Sequence, residues 1–178
     1  LNPLGRPSEI KPVETFGFEG KESFGSGRGY IWSRSIPLLK KSLLIGYGPD
    51  TFAAHFPNHD FIGKLKHVTH GISLVIDKPH NLYLQIGINT GIISLLALLF
   101  LWGAYLFESA RLYFLSPPEN FTQVAGLGLS MAVLAYLIAA FFNDSVVSVA
   151  PVFWCLLGMG IATNRINQTE RISTQSAN

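Results

Sequence analysis

Charge is scarce in this sequence: 13% of its residues are charged against 48% hydrophobic, and the mean hydropathy is +0.32. Soluble domains carry about 25% charged residues, so the composition argues against a water-covered globule and for a membrane protein. Positive charge is almost missing from the second half. Ten of the thirteen Lys and Arg lie at or before Lys78, leaving only Arg111, Arg165 and Arg171. With a net charge of +2 and no basic run interleaved with stacking aromatics, nothing suits nucleic acid. A single cysteine, Cys155, excludes an internal disulfide and a cysteine-based metal site within the chain. Also missing is a basic-then-apolar leader. The chain opens at Leu1 on polar sequence containing Pro and Gly, and reads as the C-terminal part of a longer polytopic protein.

What the sequence does have is three uncharged runs, Ile86 to Phe107, Phe121 to Asn143 and Ser145 to Asn164. At about 1.5 Å per residue each can cross a hydrocarbon core of roughly 30 Å. Three buried helices of a soluble all-α domain would carry polar stripes, and a chain this short could not cover them. The expected fold is an all-α membrane protein. A loop region, residues 1–80, precedes three transmembrane helices (about 86–107, 121–143 and 145–164, the last interrupted by Pro151) and a tail, 165–178. Arg111, Arg165 and Arg171 place the first connection and the tail in the cytoplasm by the positive-inside rule. The loop and the Asn143–Ser145 turn then face outside. The loop's own positive charges do not oppose this, because segments beyond about 60 residues translocate largely regardless of charge.

Within the loop, Trp32, Ile36, Leu39 and Leu43 recur at helical spacing and predict a short amphipathic helix, in two pieces if Pro37 breaks it. Such a helix suits either the head-group layer or packing within its own loop. Gly25–Gly29 and Gly46–Asp50 read as loops, and Gly63–Asp77 as weak strand or irregular chain.

Arg28, in the first Gly-rich turn, offers bidentate donors to phosphate oxygens, although a solvated surface arginine would look the same. His80 follows Pro79 and precedes a helix, at the positive end of the helix dipole, where a proton-accepting imidazole is favoured. Asp77, Asn81, Tyr83 and Gln85 are orienting or sugar-binding candidates around it, and an incidental polar cap is the competing reading. His55, His59, His67 and His70 have spacings that invite zinc, but Pro57 separates the first pair and no acidic support is evident beyond Asp60, so they read as a polar loop.

Taken in order, Ser26-Gly27-Arg28 with Trp32, Gly46-Tyr47-Gly48-Pro49 with Phe52, and Asp77-Lys78-Pro79-His80-Asn81 with Leu84-Gln85 and Thr90-Gly91 resemble the signature region of the O-antigen ligase and Wzy polymerase superfamily. The resemblance runs from Ser26 to Gly91. It implies an integral-membrane glycosyltransferase of GT-C type in cell-envelope polysaccharide biosynthesis. Such an enzyme transfers or polymerises a glycan from an undecaprenyl-diphosphate carrier onto an acceptor hydroxyl, glycan or lipid-linked, with no cofactor. Carried over by motif, His80 activates the acceptor and Arg28 binds the diphosphate; Arg34, Lys40 and Lys78 are weaker local cations for the same anion. The alternative from another class is a non-enzymatic transporter segment with a ligand-binding or gating loop, which would usually carry ionisable residues inside its spans.

Overall fold

The computed structural model describes residues 13–68, 74–114 and 118–176. All regular structure among them is helical: α1 (Phe24–Lys41), α2 (Phe52–His55), α3 (Phe61–His67), α4 (Leu82–Tyr113), α5 (Phe121–Ala139) and α6 (Ala150–Ser176). The last three pack on one another, while α1 and α2 lie on α4 and α3 lies on α1. The preceding loop thus forms a helical cap on a three-helix unit.

Within that unit, two helices, α4 and α5, are long and apolar enough to cross a bilayer. The expected third span differs. Its helix starts at Ala150 rather than Ser145 and runs beyond Asn164 to Ser176, so only its first half is apolar and the expected tail is helical. Pro151 stands in the first turn, where a missing N–H leaves no bond unmade, and does not interrupt a span. Glycines let aromatic side chains sit close between helices. A β-carbon on Gly126 would lie 2.2 Å from the Tyr113 hydroxyl, and one on Gly160 2.1 Å from that of Tyr105. Lipid gives little hydrophobic drive between helices, so close packing and interhelical hydrogen bonds must hold them. Here Tyr113 donates to Asn164 Oδ1 (2.8 Å), Asn164 to Ser109 Oγ (2.9 Å) and Asn167 to Tyr113 Oη (3.1 Å), all buried.

The cap is organised around α1, which passes through Pro37 unbroken. Proline cannot donate to the carbonyl four residues back, Ser33, and the Phe16 N–H supplies that bond instead at 2.8 Å. Leu43, expected on the apolar stripe, lies beyond the helix end and is exposed. The stretch expected as strand or irregular begins as helix: Gly63–His67 belong to α3, whose N-cap Asp60 accepts from Gly63 N. Residues 69–73 lie outside the described residues, and residues 74–81 carry no regular structure. Asp60 also binds Arg34 Nη2 (2.7 Å) and the Tyr30 hydroxyl (3.1 Å).

Burial raises the Asp60 pKa, but the Gly63 N–H, Arg34 and Tyr30 outweigh it and hold the carboxyl below the usual carboxylate range. A depressed folded value contributes stability that is complete above the unfolded pKa of about 3.9 and is lost as pH falls through the folded value. The cap should therefore melt more easily as pH drops below about 4. Asp60→Asn should flatten that acid limb, as read by thermal unfolding across pH.

Although hydropathy reads Ile86–Phe107 as one span, α4 breaks at Gly91 (φ 86°, ψ 169°). Tyr83 and Trp102 would be roughly 28 Å apart along a straight helix. Their rings are 6.2 Å apart, and Leu82 and Trp102 share one core cluster. The chain therefore folds back at Gly91, and a first arm, Leu82–Thr90, lies beside a second, Ile92–Tyr113. The second arm alone measures about 33 Å, enough for a span. A break frees backbone groups that must find partners. Ile88 O and Asn89 O accept from Tyr47 N and Gly48 N (both 2.9 Å), and Ile92 N donates to Leu43 O (2.7 Å). The Gly46-Tyr47-Gly48 motif is thus the backbone clasp on the fold-back. A β-carbon on Gly46 would meet the Asn89 carbonyl at 2.4 Å.

Candidate functional site

The site forms on the turn that leaves α5. Its backbone carbonyls, past the end of α5, need partners of their own, and donors from the cap and the first arm of α4 supply them. Leu82 N binds Ala140 O (2.9 Å), Asn81 Nδ2 binds Phe141 O (3.0 Å) and Arg28 Nε binds Phe142 O (3.1 Å). Two residues further, His80 Nδ1–H donates to Asp144 Oδ2 at 2.7 Å. Finally, Ser145 N reaches Gln85 Oε1 at 3.4 Å.

His80 is fixed on both sides. Trp32 Nε1 holds the Pro79 carbonyl at 2.9 Å, and Asn81 caps α4 by accepting from Leu84 N at 2.9 Å. Between them His80 has φ +50°, the left-handed region uncommon for non-glycine residues and frequent at functional sites. Its side chain is 46% exposed, while that of Asp144 is 7% exposed. Asp144 Oδ1 is buried with no partner among the described residues. A carboxylate on Nδ1 fixes the tautomer and leaves Nε2, when the ring is neutral, as the proton acceptor. Beside the ring opens a cavity of about 560 Å³ whose wall includes Ser26, Asp77 and His80.

Arg28 begins the right-handed part of α1. Gly25, Ser26 and Gly27 ahead of it are all left-handed (φ 60°, 61° and 90°), and a β-carbon on Gly27 would stand 2.8 Å from His67 O. That turn lets Arg28 Nη1 bond the Gly25 carbonyl at 2.9 Å. Of the five N–H donors of the guanidinium, two are so used and three remain without a protein partner among the described residues. Phe142 and Asp144, two residues apart, stand within about 7 Å along the chain. Arg28 and His80, far apart in sequence, therefore meet on a single turn.

A model of the O-antigen ligase family matches residues 2–99, more than half of the chain. The chain belongs to the O-antigen ligase family. No curated protein and no solved structure is significantly similar to it. As a member of this ligase family, a group of glycosyltransferase-like membrane enzymes, its two apolar helices are those of a membrane protein.

The ligase-family match contains Arg28 and His80 but not Asp144, which sequence reasoning missed. The signal available was charge: Asp144 is the only charged residue between Glu119 and Arg165. The remaining candidates separate. Asp77 shares the His80 cavity, and half-buried Lys78 is its neighbour in the chain. Gln85 joins the same turn through Ser145. Asn81 and Tyr83 are committed to packing, Tyr83 by donating to Leu137 O at 2.7 Å. Arg34 lies in the Asp60 pair, and Lys40 sits 3.9 Å over the Phe16 ring. His55 stacks on Tyr47 (3.8 Å) and His67 on Tyr30 (6.1 Å), while His70 lies outside the described residues.

Proposed function

We propose that this protein transfers a glycan from a polyprenyl-diphosphate carrier to an acceptor hydroxyl on the extracytoplasmic side of the membrane. The observation that carries the reading is the meeting of a cation with free donors, Arg28, and a carboxylate-oriented imidazole, His80, on the 142–144 turn. In the proposed step the acceptor oxygen attacks the anomeric carbon and its proton passes to His80 Nε2. The bond from that carbon to the diphosphate oxygen breaks, and the diphosphate departs with the electron pair. Direct displacement inverts the anomeric centre. Charge grows on the leaving oxygens, so the unused N–H donors of Arg28 stabilise the transition state more than the ground state. Asp77 and Gln85, on either side of His80, would bind sugar hydroxyls. In this reading Arg111, Arg165 and Arg171 mark the cytoplasmic ends of the helices.

The test is transfer of glycan from the lipid-linked donor by membranes containing the full-length protein. Arg28→Ala should lower the rate by on the order of 10²-fold, the usual loss when one transition-state donor is removed. Arg28→Lys should remain impaired, because an ammonium cannot reproduce a planar fork. Wild-type rates in both variants would remove Arg28 from the reaction. An inactive wild-type protein supplied with donor and acceptor would refute the reading itself.

A further inference from the structure

Resting on the glycan-transfer reading, we propose that the cleft inside the α4 fold-back is a binding site for one pyranose ring of the substrate, held by Asn89 and Trp102. The cleft has a volume of about 250 Å³ and runs between the two arms of α4, with the Pro49–Asp50 loop, Tyr136 of α5, Ser145 of the α5–α6 turn and the start of α6 as further walls. That is below the roughly 300–1,000 Å³ of sites for drug-sized ligands, which suits one ring rather than an oligosaccharide.

Two residues of its wall, Asn89 and Trp102, each carry a buried polar atom without a hydrogen-bond partner among the described residues, Asn89 Oδ1 and Trp102 Nε1. Asn89 is 8% exposed and Trp102 3% exposed. One is an acceptor and the other a donor, a pair that the hydroxyls of a sugar satisfy together. An isoprenoid chain in the same place would leave both unpaired. The remaining surface is aromatic. Tyr136 and Trp154 line the cleft, giving flat apolar faces for the C–H side of a pyranose. Asp50 and Gln85 supply further polar groups at the wall.

Position ties the cleft to the chemistry. Ser145 is part of its wall and follows Asp144 directly, and Gln85 accepts from the Ser145 N–H. A ring held there lies next to the His80–Asp144 pair. The Gly46–Asp50 motif gains a role by the same geometry: it clasps the fold-back and brings Asp50 to the cleft.

The experiment is saturation-transfer NMR on the detergent-solubilised full-length protein. The probes are methyl glycosides of hexoses, N-acetylhexosamines and 6-deoxyhexoses, with farnesol as the apolar competitor. At least one glycoside should bind. Asn89→Leu and Trp102→Phe, which keep size and aromaticity, should each weaken that binding about tenfold, while His80→Ala should retain it. The proposal is overturned if no glycoside binds, if binding ignores both substitutions in folded protein, or if farnesol displaces the glycoside and contacts the Trp102 ring. Glycoside binding by a wild-type protein that transfers nothing would sink the transfer reading and keep the site. Transfer without glycoside binding would do the reverse.

Discussion

Asp144→Asn is expected to cut glycan transfer by about 10³-fold while leaving membrane insertion and folding intact. The carboxylate is almost fully enclosed, and His80 is its one side-chain partner among the described residues. Its second oxygen has none. Asparagine has the same shape, so packing survives, but its amide can donate to His80 Nδ1. The ring would then carry its proton on Nε2, the atom that must accept one. In the serine-hydrolase triad the same exchange costs about 10⁴ in turnover, and the proposed mechanism gives Asp144 the same orienting role. The loss should fall in kcat with little change in KM, because no ground-state substrate contact is removed. His80→Ala should lose about 10²- to 10⁴-fold, as removal of a general base does. The double variant should be no slower than His80→Ala, since two residues acting through one proton transfer are not additive. Wild-type turnover in Asp144→Asn would show that the pair is merely structural.

The residues differ in how far their roles could be read without the fold. The membrane class was visible because apolar runs persist whatever path the backbone takes. His80 and Arg28 could be singled out as candidates because each sits in a dense local cluster of polar, Gly and Pro residues. The fold-back at Gly91 was not visible, because hydropathy sums side chains and is blind to chain direction. Its trace was the pair of separate motifs, Gly46-Tyr47-Gly48 and Thr90-Gly91, which close on each other through backbone bonds. Asp144 and His80 pair across 64 positions, and no local pattern encodes such a contact. Arg34 had the charge expected of a diphosphate ligand, yet the N-cap Asp60, 26 residues away, engages it. A long-range partner decides what a charged residue is for.

Gly91→Ala should be strongly destabilising. At φ 86° and ψ 169° the backbone occupies a region that is essentially restricted to glycine, and forcing a side chain into it costs about 1–3 kcal/mol. The added β-carbon would also stand 2.2 Å from the Leu44 carbonyl oxygen and 2.9 Å from Ile45 N, both backbone atoms with no rotamer to escape by. Relief requires the clasp to retreat, which would strain the bonds from Tyr47 N, Gly48 N and Ile92 N, each worth about 0.5–1.5 kcal/mol. Together these come to about 2.5–7.5 kcal/mol, a large share of the roughly 5–15 kcal/mol that stabilises a typical domain. Thermal unfolding of the full-length protein in detergent should show a large fall in midpoint. Gly128→Ala is the matched control: it lies in α5, a β-carbon there would meet nothing within 4 Å, and it should be neutral or slightly stabilising. Equal melting of the two variants would mean that α4 tolerates straightening at Gly91. Loss of transfer should accompany loss of the fold-back, because the first arm carries Gln85 and begins beside His80.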